Sequence, residues 1–485
     1  MAGIGFELNQ MYKENGLAGK IRGIGYSGVI VAGPMLLGMA LIGVLSGYAG
    51  HVGMSNDDRT LFQIMVTYSM LVSLFVNGFV SLPYTRYVAD QMYVGKNNRI
   101  MPALFGCISI ALPVSAVVYW AFLTISGIPL AMRFVNITIL SELICIFLVN
   151  GDLTAIRNFR GILFSYGAAI LAAMGAILAL THFFGVSVLV FLIALAVGYG
   201  IQLTLGLLLL ADFFPTGSRE YYRFLPWYGR YSKLVANGVL MNAGLFFHMF
   251  IVWGSNAGTH IQGLFYMAQE YDIPALYTYM STLVTNIFFV SSAETRFFEK
   301  YSAYYSSLNT GETYDVVREN RQEMLLVMWR DILHCAVIQL LFTILMQSVG
   351  LPVTRTLQPG FTSQMKNYFI ILCVGYGTYA TGNLLMMYSM YFTDYDGVLF
   401  DSLIFAITTT MTTLITVFLG QSANYGIGFV IGSFCYLITS YIRLRIYTKN
   451  LEYEVLALKP FYTAPRQKKV RKKAKKKEQG TEDRA

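Results

Sequence analysis

Residues 186–211 read VSVLVFLIALAVGYGIQLTLGLLLLA, without one Asp, Glu, Lys or Arg. A helix rises about 1.5 Å per residue, so about 20 apolar residues cross the hydrocarbon layer of a bilayer. This stretch is long enough and apolar enough to do so. Eleven others pass the same test: 24–48, 61–82, 102–125, 134–150, 161–181, 234–254, 274–293, 331–350, 367–391, 397–420 and 425–446. The one at 134–150 is the shortest and carries Glu142. The last two are joined over Gly420 to Tyr425.

The composition agrees with twelve spans. The chain has 485 residues, 55% hydrophobic and 13% charged, with mean hydropathy +0.54. A soluble domain carries about 45–50% apolar and about 25% charged residues. An ordinary soluble enzyme is excluded, and an all-α polytopic membrane protein is expected. Cys107, Cys145, Cys335, Cys373 and Cys435 each stand alone in an apolar stretch. With no CxxC pair, they read as small core residues and not as metal or redox ligands. Residues 1–23 are polar and do not read as a signal peptide.

Charge orients the spans. With both termini cytoplasmic, only Arg59, Arg133, Arg355 and Lys366 fall outside the membrane. That is the distribution the positive-inside rule requires. The net charge of +9 comes from residues 466–477, which hold nine Lys or Arg and no acid. Such a tail suits contact with anionic lipid at the cytoplasmic face of the plasma membrane better than nucleic acid.

The outside loops are too short for a folded domain. The expected organisation is a cytoplasmic segment 1–23 and a first lobe of six spans, 24–211. A linker 212–233 leads to a second lobe of six, 234–446, and a basic tail 447–485, disordered after about 465. The longest cytoplasmic loop is 294–330, with helical periodicity over Val316–Met328 as though the ninth span begins early. The six-plus-six split suggests two pseudo-symmetric lobes, as in many transporters.

Polar groups inside a span are costly and mark pathways or interhelical bonds. Glu142 reads either as a cavity carboxylate, able to meet a substrate or a proton, or as a structural hydrogen-bonding group. Asn237, Met241, Gly244 and His248 share a helix face, with His248 reading more readily as a buried, bonded histidine than a proton switch. Tyr376, Tyr379, Asn383 and Met386 share another, suited to stacking on sugars or to a packed seam. Asn77 and Asn286 complete the candidate translocation cavity. The threonines at 408–413 read as bonded to their own backbone. Gly33 and Pro34 interrupt the first span, as a hinge or a passive kink. Asp331 and His334 are three apart and able to pair, and with Asp394, Asp396 and Asp401 form a candidate gate or partner contact at the cytoplasmic edge.

There is no GxxxxGK[ST], GxSxG or HExxH motif. Catalysis, metal and cofactor are not expected, and ATP hydrolysis is not this chain's driving force.

The opening Met1-Ala2-Gly3-Ile4-Gly5-Phe6-Glu7-Leu8 resembles the start of the PelG family of Pel exopolysaccharide exporters. Gly33-Pro34, Ser291-Ser292-Ala293-Glu294-Thr295-Arg296-Phe297-Phe298-Glu299 and Leu451-Glu452-Tyr453-Glu454 are similar too. The resemblance runs from residue 1 to about 455, leaving the basic tail outside it. It implies the fold of the multidrug/oligosaccharidyl-lipid/polysaccharide exporter (MOP) superfamily, two six-helix lobes around a central cavity. It implies export of an N-acetylgalactosamine-rich polymer across the cytoplasmic membrane for a biofilm matrix. It also implies partners: the cytosolic glycosyltransferase PelF and the membrane proteins PelD and PelE. It carries over no catalytic residues. The scarcity of Lys and Arg in the spans fits neutral or amino sugars better than a pyrophosphate carrier, unless Arg86, Arg157 or Arg160 folds inward. Three other readings stay open: a lipid-linked oligosaccharide flippase, a cation- or proton-coupled antiporter, and a non-transporting scaffold for the synthase.

Overall fold

The computed structural model describes residues 16–457 except 157, 216, 358, 359 and 421. It leaves aside the side chains of 16–24, 26, 30, 294, 357, 423 and 455–457. The basic run at 466–477 and the disorder expected after about 465 lie outside the described residues.

The described residues hold 12 helices able to cross a membrane. They are α1 (Gly16–His51), α2 (Asn56–Tyr93), α3 (Ile100–Ile125), α4 (Leu130–Ala155), α5 (Phe159–Phe184) and α6 (Val188–Phe213). There follow α7 (Ser232–Trp253), α8 (Gln269–Thr310), α9 (Tyr314–Thr356), α10 (Ser363–Tyr391), α11 (Tyr395–Phe418) and α12 (Ile427–Lys449). Each falls on one of the twelve expected spans. Most run further, because polar flanking residues continue a helix beyond the apolar layer. Start signals are local. Ser55, Asn158, Ser187, Thr362 and Asp394 each accept a hydrogen bond from the backbone N–H three residues on, satisfying a donor the helix cannot.

Packing is two-fold in pattern. In the first lobe α4 and α5 pack on α6, and α2 on α4. Six helices later α10 and α11 pack on α12, and α8 on α10. Between the lobes α2 meets α7, and α1 meets α8, which is one contact and its mate. The α2–α7 crossing is made by glycines. A Cβ on Gly238 would stand 2.2 Å from the Gly78 carbonyl oxygen, and one on Gly78 would stand 2.9 Å from the Gly238 oxygen.

Two segments depart from expectation. In 294–330 the departure is confined to the first part: α8 continues to Thr310 and turns at Gly311 (φ +69°), while α9 starts at Tyr314, the early start expected from Val316–Met328. The ion pair Lys300–Glu323 (2.6 Å) links the two arms. Within α8, Ala293–Phe297 is a π-helical turn, inside the stretch that carries the family resemblance. Between α7 and α8 stands a β-hairpin, β1 (Thr259–Gln262) and β2 (Phe265–Met267). Its turn needs Gly263, at φ +58°.

Gly238→Val would drive a side chain into backbone that cannot rotate away. It is expected to cost about 1–3 kcal/mol, read as a lowered melting temperature of the purified protein. Side assignment has its own test. In a background without the native cysteines, Gly127→Cys is expected to react with a membrane-impermeant maleimide in intact cells, and Gly311→Cys only after permeabilisation.

Candidate functional site

Between the lobes runs a cavity of about 3290 Å³. Its walls come from α1, α2, α4, α5 and α6 of the first lobe and from α7 and α8 of the second. Spans α10–α12 reach it only through Phe392, Thr393, Tyr395 and Tyr447 near one end. The cavity extends from Asn56 and Arg59 at one end of α2 to Tyr93 at the other. We call the end with the charge-rich loops the basic end, and its opposite the far end.

At the far end the hairpin bridges the lobes. Tyr68 of α2 donates to the Tyr266 carbonyl (3.0 Å) and accepts from the Tyr266 N–H (3.2 Å). The Leu264 N–H donates to Ser126 Oγ (3.3 Å). Tyr68 stacks on Trp253 and Phe122, and the buried Phe265 wedges beside it. Asp272 fixes the base of the hairpin, accepting from Trp253 Nε1 (2.9 and 3.0 Å) and from the Ala268 N–H (3.0 Å).

At the basic end the wall is cationic and aromatic. Arg86 lies over the Tyr231 ring, which meets Tyr395 edge-on. Most of the charge is balanced: Arg86 pairs with Asp90 (3.4 Å), and Arg99 and Arg223 both pair with Glu220. Trp227 donates to Asp90 (2.8 Å), holding the interlobe linker on α2. Of the three loop arginines that could fold inward, Arg86 does line the cavity and Arg160 does not; Arg157 lies outside the described residues.

None of the eight candidate cavity residues is in the cavity wall. Glu142 is half-buried in a separate groove of about 440 Å³ between α4 and α6, with Oε1 3.2 Å from where a Cβ on Gly200 would lie. Lipid-facing Val197 and Ile201 flank that groove. One helical position toward the core would have placed it in the cavity; Leu143 is there instead. Asn77 and Asn237 are the neighbours of Gly78 and Gly238 at the lobe crossing, each with a buried Oδ1 that has no hydrogen-bond partner. His248 is fully buried, its Nδ1 2.8 Å from the Tyr271 hydroxyl and its ring 4.4 Å from Phe429. Tyr376 and Tyr379 are core, packed on Phe429, Phe405 and Tyr436. Asn286 and Asn383 are half-buried on α8 and α10. These faces pack because the second lobe fills its interior with aromatic rings.

Pro34 does line the cavity, while Gly33 admits Leu163, whose Cδ2 would be 2.5 Å from a Cβ there. Helix α1 continues through both without a break. Asp331 is buried and pairs with Arg296 of the π turn (2.9 Å), not with His334, which is exposed beside the Phe288 ring. Asp394 caps α11 and takes two bonds from Arg443 (2.6 and 2.7 Å). Asp396 pairs with Lys233, and Asp401 is buried in α11. Of the threonines of α11, Thr408, Thr410 and Thr412 bond backbone carbonyls four residues earlier, as read, while the buried Thr409 and Thr413 hydroxyls face α12 at Gly432 and Gly428 without a hydrogen-bond partner. Among the described residues no three His, Cys, Asp or Glu gather as a metal site.

The polar residues that do line the cavity were passed over: Gln63, Asn150, Tyr166, Tyr199, Gln202 and Asn242. The signal existed in α6, where Tyr199 and Gln202 are one turn apart in an otherwise apolar run.

The family profile of PelG, an exopolysaccharide exporter (EPS-E), matches residues 1–456. No curated protein matches the sequence. Among solved structures, the chain is similar to a mutant of the Vibrio cholerae MATE transporter VcmN, with a TM-score of 0.62, 10% identity, and 92% of this chain and 98% of that one covered. It is similar to the eukaryotic MATE transporter AtDTX14, with TM-score 0.60, 12% identity and coverages of 89% and 99%. A MOP superfamily transporter from Pyrococcus furiosus, described as having a binding pocket of reversed polarity, gives TM-score 0.54, 15% identity and coverages of 88% and 96%. At these identities the likeness is one of fold.

Linking Ser126→Cys to Leu264→Cys would fasten the hairpin to the first lobe. If the far end must open during transport, the oxidised protein is expected to export nothing and to recover when reduced. Secreted polymer, measured with and without reductant, reads this out.

Proposed function

Because the chain belongs to the PelG family of exopolysaccharide exporters, we propose that it carries Pel polysaccharide through the cavity between its lobes, fed by a cytosolic glycosyltransferase, for matrix assembly. One observation carries the reading. The cavity, about 3290 Å³, is several times the roughly 300–1,000 Å³ of a small-molecule site. It also runs along the bundle from one end of α2 to the other, as a chain-shaped substrate requires. Its middle is lined by amides, tyrosines and apolar groups, which bind hydroxylated rings without trapping them.

Transport by this route needs the far end to open. The hairpin is held by hydrogen bonds to Tyr68 and Ser126 and by the Phe265 ring seated against Tyr68 and Phe122, so opening the far end has to withdraw that ring as the lobes tilt. At the basic end, the α8–α9 hairpin presents charged side chains such as Lys300, Glu319 and Glu323. It offers the synthase PelF, or the membrane proteins PelD and PelE, a surface to dock on.

The arginines at the basic end favour a second reading, a flippase for pyrophosphate-linked oligosaccharide. Their pairing with Asp90 and Glu220 weakens it, since those carboxylates already hold the charge.

The test is a plugged cavity. Thr67→Trp with Leu276→Trp, from opposite walls, is expected to cut secreted polymer by at least tenfold at equal membrane level and with the synthase still recruited. Normal secretion would overturn the reading. Build-up of a polyprenyl-pyrophosphate oligosaccharide in the plugged strain would favour the flippase instead.

A further inference from the structure

We propose that Gln202, Asn150 and Tyr166 form a subsite for one uncharged sugar residue in the first-lobe wall of the cavity. The inference deepens the transport reading above and rests on it.

Gln202 is only 2% exposed, yet it lines the cavity, and neither its amide oxygen nor its nitrogen has a hydrogen-bond partner. It lies beside the Tyr166 hydroxyl without bonding to it in good geometry. That hydroxyl instead accepts from Asn150 Nδ2 (3.3 Å). The three side chains come from α6, α5 and α4, so the packing of three helices fixes their arrangement. A buried amide left unpaired is destabilising. One that faces a cavity is placed to be completed by what enters it.

The chemistry of the missing partner follows from the amide. Its oxygen only accepts and its NH₂ only donates, and neither holds a well-formed hydrogen bond. A phosphate offers acceptors alone, and an ammonium offers donors alone. A sugar hydroxyl offers both, and so does an acetamido group. Charge points the same way. The cavity lining contributed by α4, α5 and α6 contains no Asp, Glu, Lys or Arg. Phe147 and Tyr199 supply apolar faces in the same wall for the C–H side of a pyranose ring. In the second lobe the buried rings of Tyr376, Tyr379, Phe429 and Tyr436 pack between α10 and α12 instead.

The purified full-length protein would be titrated with chitotetraose, maltotetraose and inorganic pyrophosphate, with isothermal titration calorimetry as readout. Binding of the saccharides and not of pyrophosphate is expected. Gln202→Leu should weaken saccharide binding about tenfold, the loss of a pair of hydrogen bonds. Its melting temperature should not fall, because the variant removes an unpaired polar group. Asn150→Leu should weaken binding in the same direction, and both variants should lower secreted polymer several-fold at equal membrane level. Absence of saccharide binding to the unmodified protein, or unchanged binding and secretion in Gln202→Leu, would overturn the subsite. If the plugged variant blocks secretion while Gln202→Leu changes nothing, the subsite alone falls. If the plugged variant secretes normally, the transport reading falls and takes the subsite with it.

Discussion

Two backbones touch at Gly78 and Gly238, and the rest of the architecture is arranged around that contact. A carbonyl stands where any side chain would have to go. Small residues of this kind let membrane helices approach closely, where van der Waals packing takes over the role that water expulsion plays in soluble proteins. Here they bring α2 of one lobe against α7 of the other over a short crossing. The symmetry mate, α1 against α8, also joins the lobes, with Gly28 facing the Ile287 side chain and not backbone. With helix contact between the lobes centred on these crossings and the hairpin bridging them at the far end, the space beside the crossings becomes the cavity. Asn77 and Asn237 flank the crossing and keep polar atoms at the seam.

The lobes repeat each other in packing and differ in content. In the second, His248, Tyr271, Tyr376, Tyr379, Phe405, Phe429 and Tyr436 make a continuous aromatic interior. In the first, the corresponding helices α4 and α6 turn Asn150, Tyr199 and Gln202 toward open space. One half of the molecule is therefore a solid body and the other a lined vessel. A two-fold fold carrying a one-sided cavity presents different chemistry to the two walls of whatever passes between them.

The spans were legible because hydropathy is a sum over many residues, and no single misplacement changes it. All twelve were recovered, including the weakest, around Glu142. The site was not legible, for a reason visible in particular residues. Sequence marks which groups are unusual in a membrane, and burial decides which way they face. Glu142 and Leu143 are neighbours on α4; the leucine reached the cavity and the carboxylate did not. His248 is the buried, bonded histidine its sequence context favoured, while Tyr379, read as a sugar-stacking or seam residue, packs in the core on Phe405 and Tyr436. Asp331 found Arg296 on another helix, a pairing that no local spacing could reveal. The β-hairpin was missed because its strands are of only three and four residues, too short for periodicity to show.

The hairpin of α8 and α9 has a mechanical corollary. Residues Phe298–Thr310 add thirteen residues of helix beyond the π turn, about 20 Å at 1.5 Å per residue. They are braced to α9 by Lys300–Glu323, and α9 in turn is tied to the short helix Leu451–Ala457 after α12 through Arg321–Glu452 (2.7 Å). A braced rod rooted in one lobe is a pointer. If that lobe tilts by about 10°, simple leverage carries the tip by about 3 Å. Whatever rests on the tip thus receives the lobe's orientation as a displacement, without any signal having to pass through the membrane interior.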